Sequence, residues 1–260
     1  MAYAKINNVT NANMGKGNNA AKAALGKIDS IDAPSAAFSN AKSIDFDGSN
    51  DYMISGSNIA ITRGTYQFCM KTTTATSCTP MMWSGTQNAY LVASGGELYF
   101  WVVWPMGNKL YNSGALLTDG EWHHILWTTE GASGAESHIK IYIDGVHKVT
   151  QTQTSSYSDV DDTMELGRYN PYNWYTGQMD EVAIWDSVAI DADGVTALYN
   201  SGEPIDLKTN SGDYDNASDL AHWWRMGDGD THPTIVDNKG SNNLTMTNMA
   251  SGDIEDDVPS

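Results

Sequence analysis

Basic residues are scarce in this chain. Only 14 of 260 residues are Lys or Arg against 32 Asp or Glu, for a formal net charge of -18. A protein that grips a phosphate backbone does so with lysine and arginine, so nucleic acid is excluded as a partner. Cysteine is nearly absent as well, with Cys69 and Cys78 the only two. A chain of this length folds without a staple, so both are expected as free, partly buried thiols, a bridge across a hairpin being the alternative. No apolar run reaches the roughly 18 residues that a membrane-spanning helix needs. The first residues, Met-Ala-Tyr-Ala-Lys-Ile-Asn-Asn, carry no apolar stretch of a secretory signal. Work outside a cell would therefore call for another route of export.

Catalytic patterns are missing too. There is no Gly-x-Ser-x-Gly nucleophile elbow. Glycoside hydrolysis needs two carboxylates flanking one bond, which on a strand means acids spaced so that both face the cleft. No Glu-x-Asp-x-x-Glu run supplies them, and Asp180 and Glu181 are adjacent, so alternation sends them to opposite faces. His123 and His124 are neighbours on a predicted strand and do not form a helical metal pair. One is expected in the core and one at the surface. The expectation is a protein that is not an enzyme.

What the chain does have is a large apolar fraction, 40%, and a skewed aromatic set of 9 Trp and 13 Tyr against 4 Phe. Such rings fill sandwich cores, and they also form sugar-binding and protein-binding faces. Residues 1–42 are small and polar, without a continuing apolar stripe, and read as an arm that is either an attachment device or a loose terminus. From Ser43 short strands alternate with turn signals, the pattern of an all-β sandwich. Gly95-Gly96 and Asp144-Gly145 are hairpin turns. Residues 191–199 read as a short helix closed by Ser201-Gly202, with the glycine just past its end. After a polar linker, strand patterns return at Leu220–Met226 and Asn243–Thr247.

Four stretches then carry a resemblance: SIDFDGSNDYM at 43–53, GEWHHILWTT at 120–129, IKIYIDGVHKV at 139–149 and ELGRYNPYNWYTGQMDEVAIWDSVAI at 165–190. In this order, followed by DGVTALYNSG at 193–202, they resemble the laminin G-like and pentraxin-like jelly rolls of the concanavalin A-like superfamily. The resemblance implies a jelly-roll β-sandwich of two antiparallel sheets over residues 43–202, preceded by an extended N-terminal arm. Residues 220–248 resemble the strand-turn-strand that usually precedes the first motif, so 203–260 is expected to complete the same sandwich and not to form a second domain. The arrangement is also similar to structural proteins of marine tailed phages. That likeness implies a capsid decoration or a tail or fibre component on the virion surface, present in repeated copies or as a homo-oligomer. It would meet other virion proteins through residues 1–42 and host glycans through its lectin-like domain. A free carbohydrate-binding lectin is the alternative, and a glycoside hydrolase the least favoured.

The family further implies where to look for ligands. Many of its members hold a structural calcium with a carbonyl near the first strand and an Asp on the last, and the matching positions are Asp47 or Gly48 and Asp180. The other reading makes Asp47 a turn residue and pairs Asp180 with Arg168 or Lys42. The loop that in pentraxins holds ligand-binding calcium lacks those acids here, so that site is not carried over. The resemblance also implies that the pentraxin disulfide is absent, since Cys69 matches one partner and the other position matches Leu126. The same loop is aromatic instead: Tyr169, Asn170, Tyr172, Asn173, Trp174 and Tyr175 fall together. Rings stack on sugars and amides bond their hydroxyls, so these six are the candidate glycan contacts, unless the rings cover the sandwich edge.

Overall fold

Strict alternation along the strands sorts side chains to two faces, and here it builds two sheets packed on one core. The computed structural model describes residues 38–61, 63–75, 78–84, 88–94, 97–104, 107–131, 137–153, 160–169 and 173–260. The sandwich unit spans Asn40–Ser260. Its strands are β1 (Ser43–Asp47), β2 (Tyr52–Ser55), β3 (Ile59–Ile61), β4 (Gly64–Lys71), β5 (Met81–Ser84), β6 (Asn88–Ser94), β7 (Glu97–Trp104), β8 (Gly107–Leu116) and β9 (Trp122–Gly131). They continue with β10 (Ser137–Ile143), β11 (Val146–Gln153), β12 (Val160–Leu166), β13 (Thr176–Asp186), β14 (Leu220–Trp224), β15 (Thr234–Ile235), β16 (Leu244–Thr247) and β17 (Ile254–Glu255). The first sheet runs β11-β10-β9-β4-β13-β1-β17, with β14 paired to the far half of β13. The second runs β15-β16-β2-β12-β5-β6-β7-β8, with β3 paired to β12. Residues after 203 thus supply strands to both sheets, because β14 joins β13, β16 joins β2 and β17 joins β1.

The core between the sheets is aromatic and sulfur-rich. Tyr66 stacks on Trp127 with centroids 5.1 Å apart, and Trp83 meets Tyr66 edge-on at 5.7 Å. Met53, Met70, Met164 and Met179 are fully buried around them. Methionine fills irregular gaps between rings without strict rotamer demands. Cys69 and Cys78 are both free and buried.

Two local features differ from expectation, one in strand alternation and one at the helix end. The β13–β4 ladder breaks register between Asp180 and Ala183, and Glu181 there has φ +50°. A bulge of this kind puts two successive residues against one of the partner strand. Met179 and Val182 both enter the core, while Asp180 stands opposite Cys69 and Glu181 lines a cavity beside that residue. The adjacent acids therefore share the outer face instead of dividing between two. The helix α1 (Ala192–Tyr199) is capped by the Asp191 carboxylate, which accepts from Gly194 N at 2.9 Å. Its left-handed end falls at Asn200, φ +43°, ahead of the expected Gly202. Asparagine tolerates that conformation better than most residues. Among the described residues no helix is long and apolar enough to cross a membrane.

The outer face of the first sheet is covered. Helix α1 and residues 203–217 lay Leu198, Leu207 and Tyr214 over it, and all three are buried. Trp185 on β13 donates its indole N–H to Tyr214 Oη at 3.0 Å, and that hydroxyl donates to Leu207 O at 2.7 Å.

Candidate functional site

On the second sheet, Met53 and Leu166 point to the core, so Tyr52 and Glu165 point outward. Arg168 follows β12 and lays its guanidinium 3.3 Å from the Tyr52 ring centroid and 5.7 Å from that of Trp174. The two rings are 6.3 Å apart. The cation lies on the Tyr52 ring, close enough for a strong attraction to its π face, and Trp174 flanks it at a longer distance. Arg168 Nε also donates to Glu165 Oε2 at 2.5 Å, and both side chains are largely buried, 13% and 3% exposed. Tyr52, Trp174, Tyr169 and Asn173 remain partly exposed.

Backbone bonds hold the loop that presents Trp174. Gly167 N donates to Pro80 O, Tyr175 N to Gly167 O and Thr79 N to Asn173 O, each at 2.8 Å. Gly167 has φ +91°, and a Cβ there would lie 2.6 Å from the Phe46 ring. No side chain fits. Of the six expected glycan contacts, Tyr169, Asn173 and Trp174 are placed at this surface, while Asn170 and Tyr172 lie outside the described residues. Tyr175 is corrected. Its ring is fully buried and packs edge-on against Phe46 at 5.6 Å, with its hydroxyl 2.8 Å from Gln178 O. It anchors the loop from below and offers nothing to a ligand. Tyr52 and Arg168 were missed as site residues, because neither lies in the dense aromatic run. Only the β2–β12 register brings them there.

The expected calcium donors do not converge. Asp47 stands opposite Thr176 in the β1–β13 ladder, and Asp180 lies four residues farther along, about 13 Å at the rise of a strand. Asp47 Oδ1 instead accepts from Ser49 N at 2.7 Å and Asn50 N at 3.2 Å, closing the turn. Gly48 has φ +74° and is packed so closely on Thr176 that no Cβ fits. These two residues shape a turn and are withdrawn as metal donors.

Asp180 belongs to a different cluster, on the covered face of the first sheet. It is fully buried and accepts from Asn40 Nδ2 at 2.6 Å. Burial pushes its carboxyl well up, and the charges of Glu181 and Asp228 add to the effect. Glu181 is raised by burial as well, although Trp223 Nε1 donates to its Oε2 at 2.6 Å and Arg225 lies 3.5 Å away. Beside them a small cavity is lined by Gln67, Cys69, His124 and Tyr199. His124 Nε2 meets Gln67 Oε1 at 3.1 Å, and burial lowers its imidazole to about 4. Among the described residues no three His, Cys, Asp or Glu side chains are grouped to hold a metal. Asn40 Oδ1 is buried without a hydrogen-bond partner, and Asp228 accepts from Ala41 N at 3.1 Å and from Arg225 Nη2 at 2.7 Å.

Two sheets in jelly-roll order, with a short helix behind the last long strand, define a lectin-like β-sandwich of the laminin G and pentraxin type. The family model for the concanavalin A-like lectin/glucanase superfamily matches residues 46–196, more than half of the chain, and the protein belongs to that superfamily. No curated protein sequence matches it. Among solved structures, a native heptameric SAP-like pentraxin from Limulus polyphemus aligns over 83% of this chain and all of its own, at 13% identity and TM-score 0.54. Domains LG4-5 of the mouse laminin α1 chain align over 63% of this chain and 46% of their own, at 17% identity and TM-score 0.44. Domain 4 of a GH43 extracellular arabinanase from Geobacillus stearothermophilus, solved with arabinotriose, aligns over 60% and 76%, at 19% identity and TM-score 0.47. At these identities the likeness speaks to the fold.

Proposed function

We propose that this chain is a non-enzymatic structural protein of a virus particle, a capsid decoration or a tail or fibre component, whose lectin-like domain adheres to glycans on the host surface. The observation that carries the glycan reading is the partly exposed cluster of Tyr52, Arg168 and Trp174 on the outer face of the second sheet. Aromatic faces placed beside hydrogen-bonding groups are the usual means of holding a sugar ring. The domain is acidic and lectin-like, and the small-residue segment 1–42 ahead of it suits attachment to other virion proteins in repeated copies. Catalysis is not part of the reading, since the paired acids Asp180 and Glu181 are buried beneath a cover where no polysaccharide reaches.

The first test is a glycan array with the wild-type chain and Trp174→Ala. Binding that disappears in the variant supports the reading, and equal binding by both overturns it. A reconstruction of native particles tests the virion role. Repeating density traced to this chain and anchored through residues 1–42 is the expected result, and absence from any particle overturns that part while leaving a free lectin.

A structural calcium belongs to the same proposal, held by Asp180 with Asn40 Oδ1 and Asp228. It would offset the repulsion of buried carboxylates and tie the start of β1 to the segment after β14. Calcium titration against melting temperature is expected to raise Tm in wild type and in Asp47→Asn, and to do nothing in Asp180→Asn. A response lost in Asp47→Asn and kept in Asp180→Asn would overturn the assignment.

A further inference from the structure

We propose that Glu165 sets the charge preference of this surface: by holding Arg168 as a neutral, ring-stacked pair, it makes the slot select uncharged sugars over sialylated or sulfated ones. The inference rests on the glycan reading above and goes beyond it to the class of sugar.

An arginine stacked on one aromatic ring and flanked by another, on an otherwise acidic protein, looks like a receptor for anions. The geometry argues otherwise. A guanidinium that recognises an anionic ligand presents its donors in a fork to that anion. Here the Nε side of the fork is taken by Glu165 Oε2 at 2.5 Å, and the carboxylate itself is only 3% exposed. An anion bound at Arg168 would have to compete with a carboxylate already in contact, without a counterion to relieve the like charge. In a partly desolvated site such like-charge crowding is far from screened. Glu165 is positioned for this by its strand. It faces Ile54 across β2 and Met82 across β5, in the middle of the second sheet, where Met82 is also buried.

The surroundings deepen the bias. The turn leading into Tyr52 carries Asp47 and Asp51, with Asp51 Oδ2 accepting from Asp47 N. The lysines that have carboxylate partners lie elsewhere: Lys71 on β4 pairs with Asp257 and Lys140 on β10 with Glu130, both on the first sheet, and Lys42 just before β1 pairs with Asp256. Arg225 pairs with Asp228 beyond β14. What the slot offers is aromatic ring surface and the remaining donors of Arg168, with the partly exposed Asn173 next to Trp174 in the chain, a set suited to the apolar face and hydroxyl oxygens of a neutral sugar.

The test measures binding of a neutral oligosaccharide from the array and of its sulfated counterpart to wild type, Glu165→Gln, Arg168→Gln and Trp174→Ala. Wild type is expected to favour the neutral form by about tenfold or more. Its affinity should change little between about 0.05 and 0.5 M salt. Glu165→Gln unmasks the guanidinium and is expected to bring the sulfated form level with the neutral one or ahead of it, with a new salt dependence. Arg168→Gln removes the cation and is expected to sharpen discrimination against sulfate. Wild-type preference for the sulfated sugar, or a ratio unchanged in Glu165→Gln, overturns the inference while leaving glycan binding intact. Should Glu165→Gln fail to fold, the salt response of wild type and the Arg168→Gln ratio still decide the question. Loss of all selectivity between wild type and Trp174→Ala overturns instead the glycan reading on which it stands.

Discussion

The outer faces of the two sheets use the same residue types to opposite ends. Under the cover of the first sheet two tryptophans are sealed. Trp185 and Trp223 are at most 1% exposed, and their indole N–H groups end on Tyr214 Oη and Glu181 Oε2. On the second, Tyr52 and Trp174 stay partly open and clasp a cation whose partner lies beneath them. Buried polar groups must find partners within the protein, and the first sheet meets that demand with a cover of helix and loop. Trp174 is partly exposed and lies outside that demand. A ring sealed inside the protein holds the fold together, and one that faces solvent is available to a ligand.

The sharpest way to break the comparison is to truncate on the covered side. Trp185→Ala should cost about 3–5 kcal/mol, because it opens a large void and strands the Tyr214 hydroxyl donor network. Urea unfolding with unchanged m-value measures it. A cost below about 1 kcal/mol would mean the cover is loosely packed and the two faces are alike.

Acid should separate the faces next. His124 is buried neutral, with its imidazole lowered to about 4. The unfolded chain takes up that proton near the usual 6.5, so this residue's contribution is full above that value and is lost as the pH falls toward about 4. The loss amounts to about 3 kcal/mol. Asp180 and Glu181, both raised by burial, work in the other direction, gaining stability as they protonate. The wild-type curve mixes these effects, whereas the difference between wild type and His124→Asn isolates the histidine. A difference that does not vary with pH would place His124 in contact with solvent.

Gly167→Ala tests the join between loop and core. With φ +91° and Phe46 in the way, the added methyl is expected to cost about 2 kcal/mol and to displace Trp174, weakening sugar binding in step. Loss of stability with binding intact would show that the loop orders independently of its glycine.

How much of this could be read from the sequence depends on the range of the cause. The jelly roll was legible because its motifs are local and appear in family order, and because turns such as Asp144-Gly145 announce themselves. The site was half legible. The run from Tyr169 to Tyr175 drew attention to the right loop, yet alternation along a loop is undefined, so Tyr175 could not be told from Trp174. Tyr52 and Arg168 are 116 residues apart in number and meet only through strand register. The bulge at Glu181 overturned a rule of alternation that holds almost everywhere else in β13, and nothing in Asp-Glu-Val announces it. Asp47 and Asp180 failed as a pair for the same reason: shared strands do not imply shared rungs.

The smallest expected effect is the most informative for function. Trp174→Ala removes a partly exposed ring whose contacts are Tyr52 and the edge of Arg168. Tyr52 keeps the guanidinium stacked, and Glu165 keeps it anchored, so the stability cost should stay below about 1 kcal/mol. Denaturant unfolding beside the glycan measurement reads both quantities on one protein. A variant that is as stable as wild type but has lost its sugar assigns Trp174 to the ligand. A cost near that of Trp185→Ala would assign it to the fold, and the two faces of the sandwich would then differ in exposure alone.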